Sequence, residues 1–165
     1  YTDSFFTGFR LFTIVEYILI TLFLYYIIKN LKFKLLIKIL SFSFLAFSIF
    51  DYFQSKSNTF DSSPTGIACI LILFYSIYYL FERIKTPETL FLYSTPNFWM
   101  VVAIILFFSG TFFVFIFSQP NYNDPSVQSA FQLINTSFSI LRNLLFSIAF
   151  LIKPEKGKQS ILTKF

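Results

Sequence analysis

The sequence has no histidine, one cysteine and few charges: 13% of its 165 residues are Asp, Glu, Lys or Arg. Without histidine there is no histidine-based catalytic triad, no haem held by imidazole and none of the usual zinc sites. The lone Cys69 lies in an apolar run. It excludes an intrachain disulfide and reads as a small buried or lipid-facing apolar residue. The charged share is about half that of an ordinary soluble domain. A net charge of +5 raises the question of nucleic acid. Such a surface needs Lys and Arg clustered on a polar domain, which the chain lacks, so no nucleic-acid partner is expected.

Apolar and aromatic residues fill the space instead. The chain carries 27 Phe and 10 Tyr and has a mean hydropathy of +0.69. No charged residue occurs between Glu88 and Asp124. Within that interval, Asn97–Ser118 is long enough to cross about 30 Å of hydrocarbon at about 1.5 Å per helical residue. Phe98 and Trp99 stand at its start, where rings rest at a headgroup boundary. A chain of this length cannot surround such a segment with other protein on every side, so it reads as a transmembrane helix. Strict polar/apolar alternation is absent and the apolar blocks are helix-length, which argues against sheets and a membrane barrel. The expected fold class is all-α: a polytopic transmembrane helical bundle in one domain, residues 1–165.

Five spans are expected, at about residues 11–28, 33–53, 64–84, 97–118 and 127–152. Tyr1–Phe12 reads as an interfacial lead-in, because Gly8 and Arg10 weaken it as the middle of a span. Lys34 and Lys38 can snorkel their ammonium groups from the first turns of the second span. Pro64 suits the first turn of a helix, where its missing N–H has no helical partner to lose. Thr86-Pro87 ends the third span, and the proline-containing Gln119–Ser126 separates the last two. The first residue is Tyr rather than Met, and further spans upstream are compatible with this reading.

Assigning Lys and Arg to alternate sides of five spans puts ten on one side: Lys29, Lys32, Lys34, Lys38, Arg83, Lys85, Lys153, Lys156, Lys158 and Lys164. Arg10 and Lys56 fall on the other, and Arg142 lies within the fifth span. The positive-inside bias therefore predicts an outer N-terminus and a cytoplasmic C-terminus.

Glu16 and Arg142 are the sharpest local signals, because neither belongs in lipid without snorkelling or a partner. Arg142 is ten residues before Ile152 and Glu16 twelve before Ile28, about 15 and 18 Å from the same side along a helix. Similar depth makes them candidates for an ion pair. Asn135, Ser139, Arg142 and Asn143 recur at three- and four-residue offsets and share a face of the fifth span. Together with Glu16 they form a candidate buried polar set. Tyr75, Tyr78, Tyr79 and Glu82 form a second stripe and a candidate aromatic pocket. Ser109-Gly110-Thr111 offers close helix packing or a bend. Asp51 and Asp61 are too isolated for a metal site. No catalytic residue, metal or cofactor is predicted, although bound lipid is expected.

Several segments also carry a resemblance: Phe60-Asp61-Ser62-Ser63-Pro64-Thr65, Tyr78-Tyr79-Leu80-Phe81-Glu82, Leu92-Tyr93, Pro96-Asn97-Phe98-Trp99 and Phe107-Phe108-Ser109-Gly110-Thr111-Phe112-Phe113. The combination resembles small multi-span proteins encoded beside bacterial sensor histidine kinases, or forming membrane modules ahead of them. That resemblance implies a signalling or scaffolding role in a bacterial inner membrane, exerted through protein partners. It carries over no catalytic residue. The leading expectation is thus a non-catalytic membrane module. The alternative is an accessory subunit of an energy-transducing or secretion complex, in a bacterial or organellar inner membrane. A small transporter ranks lower, since neither paired half-helices nor an inverted repeat is evident. A membrane enzyme ranks below that, because no nucleophile–base pair stands out.

Overall fold

The computed structural model describes residues 2–54, 62–85, 95–118 and 125–152. These residues form five α-helices: α1 (Thr2–Ile27), α2 (Leu31–Gln54), α3 (Ser62–Ile84), α4 (Pro96–Ser118) and α5 (Pro125–Leu151). No strand occurs among the described residues. Lys56, Asp61, the connector 88–94, the loop 119–124 and the basic tail from Lys153 lie outside the described residues.

Among the described residues, four helices are long and apolar enough to cross a membrane: α2 over Leu31–Asp51, α3 over Pro64–Ile84, α4 over Pro96–Phe113 and α5 over Pro125–Leu151. This architecture is compatible with an integral membrane protein. The apolar part of α1, Leu11–Ile27, is shorter. At about 1.5 Å per residue it covers roughly 25 Å, against about 30 Å for a hydrocarbon core. Helix α1 begins at Thr2, so the lead-in is helical ahead of the apolar part that starts at Leu11. Gly8 lies inside that helix, where it costs only about 1 kcal/mol relative to alanine.

The chain reverses between α1 and α2 in three residues, Ile28–Asn30. Asn30 makes this abrupt turn workable. Its Oδ1 accepts from the backbone N–H of Lys32 at 2.9 Å and of Phe33 at 3.4 Å, as an N-cap does. Glu82, near the end of α3, completes the turn. One carboxylate oxygen accepts from the Lys29 N–H at 3.0 Å and the other from the Asn30 N–H at 2.7 Å. The end of α1, the start of α2 and the end of α3 therefore meet at one end of the bundle.

The core lies between α1, α2, α3 and α4. It is built from Tyr17, Leu24, Ile37, Phe44, Ile72, Tyr75, Tyr79, Val101 and Ile104, among others. Helix α3 packs against α1, α2 and α4, and α4 in turn runs along α5. Helix α5 is peripheral, with Ala149 its one buried residue among those described.

The α4–α5 contact depends on Gly110. A Cβ built there would overlap the tip of the Phe138 ring. The flanking hydroxyls turn back onto their own helix: Ser109 Oγ donates to the Leu106 carbonyl at 3.2 Å and Thr111 Oγ1 to the Phe107 carbonyl at 2.7 Å. Glycine thus leaves a notch that Phe138 fills. Gly110→Ala should destabilise the protein by about 1–3 kcal/mol through overpacking. Combining it with Phe138→Ala should cost less than the sum of the two single changes. Reversible unfolding in detergent measures both; strict additivity would show that the ring does not occupy this notch.

Candidate functional site

A cavity of about 170 Å³ opens between α1, α3, α4 and α5. It lies toward the end of the bundle where α3 and α5 begin. Helix α1 contributes Thr13, Glu16 and Tyr17, and α3 contributes Thr65 and Cys69. Phe107, Phe108 and Thr111 come from α4, while Asn135, Ser139 and Arg142 come from α5. The volume is enough for a few water molecules at roughly 30 Å³ each, or for one small polar solute.

Its central contact joins the two outermost walls. Arg142 Nη1 donates to Glu16 Oε1 at 2.8 Å. The side chains are 20% and 21% exposed, so the pair is largely enclosed by the bundle. The guanidinium also lies over the Phe107 ring, with Cζ 4.0 Å from the ring centroid. A cation there gains from the negative face of the ring. Arg142 Nε is buried and has no hydrogen-bond partner among the described residues. The arginine is thus fastened by one carboxylate and one ring, with a further N–H left over inside the bundle.

The shared face on α5 divides at this point. Asn135, Ser139 and Arg142 line the cavity, whereas Asn143 is exposed. Ser139 Oγ donates to the Asn135 carbonyl at 2.8 Å, which satisfies the hydroxyl within its own helix. Cys69 is buried against the cavity. Thr13, Thr65, Tyr17 and Phe107 also line the site, although the sequence did not mark them as site residues. Thr65 directly follows Pro64 and Tyr17 follows Glu16, so adjacency offered a weak signal for both. Phe107 had none, standing in an uninterrupted apolar run of a phenylalanine-rich chain.

The tyrosine stripe of α3 does not line this cavity. Tyr75 and Tyr79 are buried in the core. Tyr78 stacks on Phe33 of α2, with ring centroids 3.4 Å apart and planes within 4°. Its hydroxyl accepts from Asn30 Nδ2 at 2.8 Å. Glu82 holds the α1–α2 turn. Tyr78 and Glu82 fasten α3 to α1 and α2 at the opposite end from the Glu16–Arg142 pair. Tyr17 and Ser41 hydrogen-bond at 3.0 Å and link α1 to α2 nearer the middle.

No group of three or more potential metal ligands occurs among the described residues. Asp51 makes an electrostatic or hydrogen-bonding contact of its own. Comparison with protein families, curated proteins and solved structures yielded no match to this chain.

The ion pair can be tested by exchange. Glu16→Arg and Arg142→Glu each set two like charges against one another and should destabilise by about 1–3 kcal/mol. The double variant Glu16→Arg with Arg142→Glu should recover most of that loss if the contact is direct. Unfolding in detergent gives the comparison. A double variant as unstable as the sum of its single changes would exclude a direct pair.

Proposed function

We propose that this chain is a five-span integral membrane module, with its N-terminus outside and its C-terminus cytoplasmic. It acts without catalysis in signalling or scaffolding, through protein contacts made by α5, in a bacterial inner membrane. The observation that carries the reading is the surface of α5. This helix is of membrane-spanning length, packs mainly on α4 and leaves Gln132, Thr136 and Asn143 exposed. Polar side chains that face hydrocarbon are unfavourable, and interhelical hydrogen bonds satisfy them. A second protein on this face supplies those bonds, whereas lipid tails cannot.

Helix α1 supports the fifth span by its alignment. Thr13 and Glu16 share a cavity with Thr65 near the start of α3. The α1–α2 turn meets Glu82 near the end of α3. Helix α1 therefore runs parallel to α3 over nearly all of a helix long enough to span. The ten-to-two partition of basic residues supports the orientation. The mutual pairing of Glu16 with Arg142 supports a non-catalytic role, since each charge neutralises the other.

Extraction of the chain in polymer nanodiscs with its native lipids tests this reading. Mass measurement should return an assembly larger than one chain, and a co-extracted kinase would specify signalling. A constant set of respiratory or secretion subunits would favour the accessory role instead. A monomer that moves solute across reconstituted liposomes would overturn the reading.

A further inference from the structure

The short turn between α1 and α2 brings Lys29, Lys32, Lys34 and Lys38 to one end of the bundle. Two of them converge on a single side chain. Lys34 Nζ lies 5.1 Å from the centroid of the Tyr25 ring, and Lys38 Nζ lies 5.3 Å from it. Arg83 and Lys85, near the end of α3, each have a ring of their own: Tyr79 at 5.4 Å and Phe81 at 4.1 Å. A ring face attracts a cation, but two ammonium groups one helical turn apart repel each other. No carboxylate among the described residues pairs with Lys34 or Lys38. Glu82, the acidic residue described at this end, already accepts from the Lys29 and Asn30 N–H groups with its two oxygens. The junction of α1 and α2 thus presents two positive charges over one ring with no counter-charge beside them.

The surroundings change character away from the turn. On α1, Leu22 and Ile18 share the face of Tyr25, and on α2, Phe42 shares the face of Lys38. All three are exposed, and Phe42 lies inside the membrane-length stretch of α2. A cationic rim therefore stands at the head of an apolar track. We infer that this junction binds one anionic phospholipid, with its phosphate against Lys34 and Lys38 and its chains along Leu22, Ile18 and Phe42. The inference needs α2 to cross a membrane, and it does not depend on what covers α5.

The chemistry of the two halves selects that occupant. A phosphodiester supplies the missing negative charge, and basic clefts between spanning helices on the cytoplasmic side hold such headgroups. A headgroup with an ammonium of its own would bring a third positive charge to the same place. A free phosphate would gain nothing from the apolar track. An acidic protein segment laid along it would carry unpaired backbone groups into hydrocarbon. The depth of the lysines fits as well. Lys38 starts one helical turn deeper than Lys34, yet its ammonium reaches back to the same ring. Both charges are thereby gathered at one level, as snorkelling toward a headgroup layer requires.

Lipid retention tests the inference. The chain is placed in nanodiscs of phosphatidylcholine and phosphatidylglycerol in equal parts, and mass measurement of the released protein reads which lipid stays bound. The unaltered chain should retain one phosphatidylglycerol in preference to phosphatidylcholine. Lys34→Gln and Lys38→Gln should each lower that retention roughly fivefold, as expected for one basic residue near an anionic lipid. Lys85→Gln, at the same end but with a ring of its own, should change it less than about twofold. Equal losses at positions 34, 38 and 85 would mean diffuse surface charge and overturn the site, as would equal retention of the two lipids. Glycerol 3-phosphate, which has the phosphate without the chains, should not displace the bound lipid; displacement at equal concentration would assign the junction to a free anion and overturn the lipid. A monomer that retains phosphatidylglycerol would uphold this site while the protein-contact reading of α5 fails.

Discussion

The cost of carrying polar groups through an apolar bundle governs how this molecule is put together. Glu16 and Arg142 meet that constraint by bonding each other at 2.8 Å. The pair also joins two helices that touch little elsewhere. Helix α5 rests on α4, and its guanidinium reaches past Phe107 to a carboxylate on α1. Removing either charge would leave the other stranded beside an apolar wall. The cavity is lined by both side chains of the pair.

At the opposite end the constraint is met by backbone capping. The α1–α2 turn leaves amide N–H groups without helical partners, and Glu82 and Asn30 accept from them. Those contacts fix α1 and α2 onto α3. The bundle is therefore pinned at both ends by carboxylates: Glu82 on a turn and Glu16 on an arginine. Apolar packing between the pins brings α3 and α4 together, and the Gly110–Phe138 notch beside the Glu16–Arg142 pair seats α5 on α4. These arrangements leave α5 with an inner face that is committed and an outer face that is not.

Much of this architecture is legible in the residues themselves. Apolar runs bounded by Lys, Pro and short polar loops mark helices wherever a run is long and its breakers are strong, as at Pro64 and Pro125. The start of α1 is obscure because Gly8 and Arg10 weaken an apolar pattern without stopping a helix. Equal depth from one side is enough to bring Glu16 and Arg142 together as candidates, since both must escape lipid. Glu82 is harder to read. In sequence it belongs to a tyrosine stripe, and its true partners are backbone N–H groups some fifty residues away, which carry no side-chain signature. Cavity walls such as Phe107 are illegible for a related reason. One phenylalanine among 27 becomes special only when an arginine from another helix lies over it.

The central claim is that α5 turns its polar outer face to protein rather than to lipid. Spin labels at Asn143 and at Leu144, one residue apart and both exposed in the single chain, compare the two surroundings directly in native-lipid nanodiscs. The account predicts a slowly moving label at position 143 that is shielded from dissolved oxygen, with a mobile, oxygen-accessible label at 144. Equal, lipid-like oxygen accessibility at both positions would contradict it.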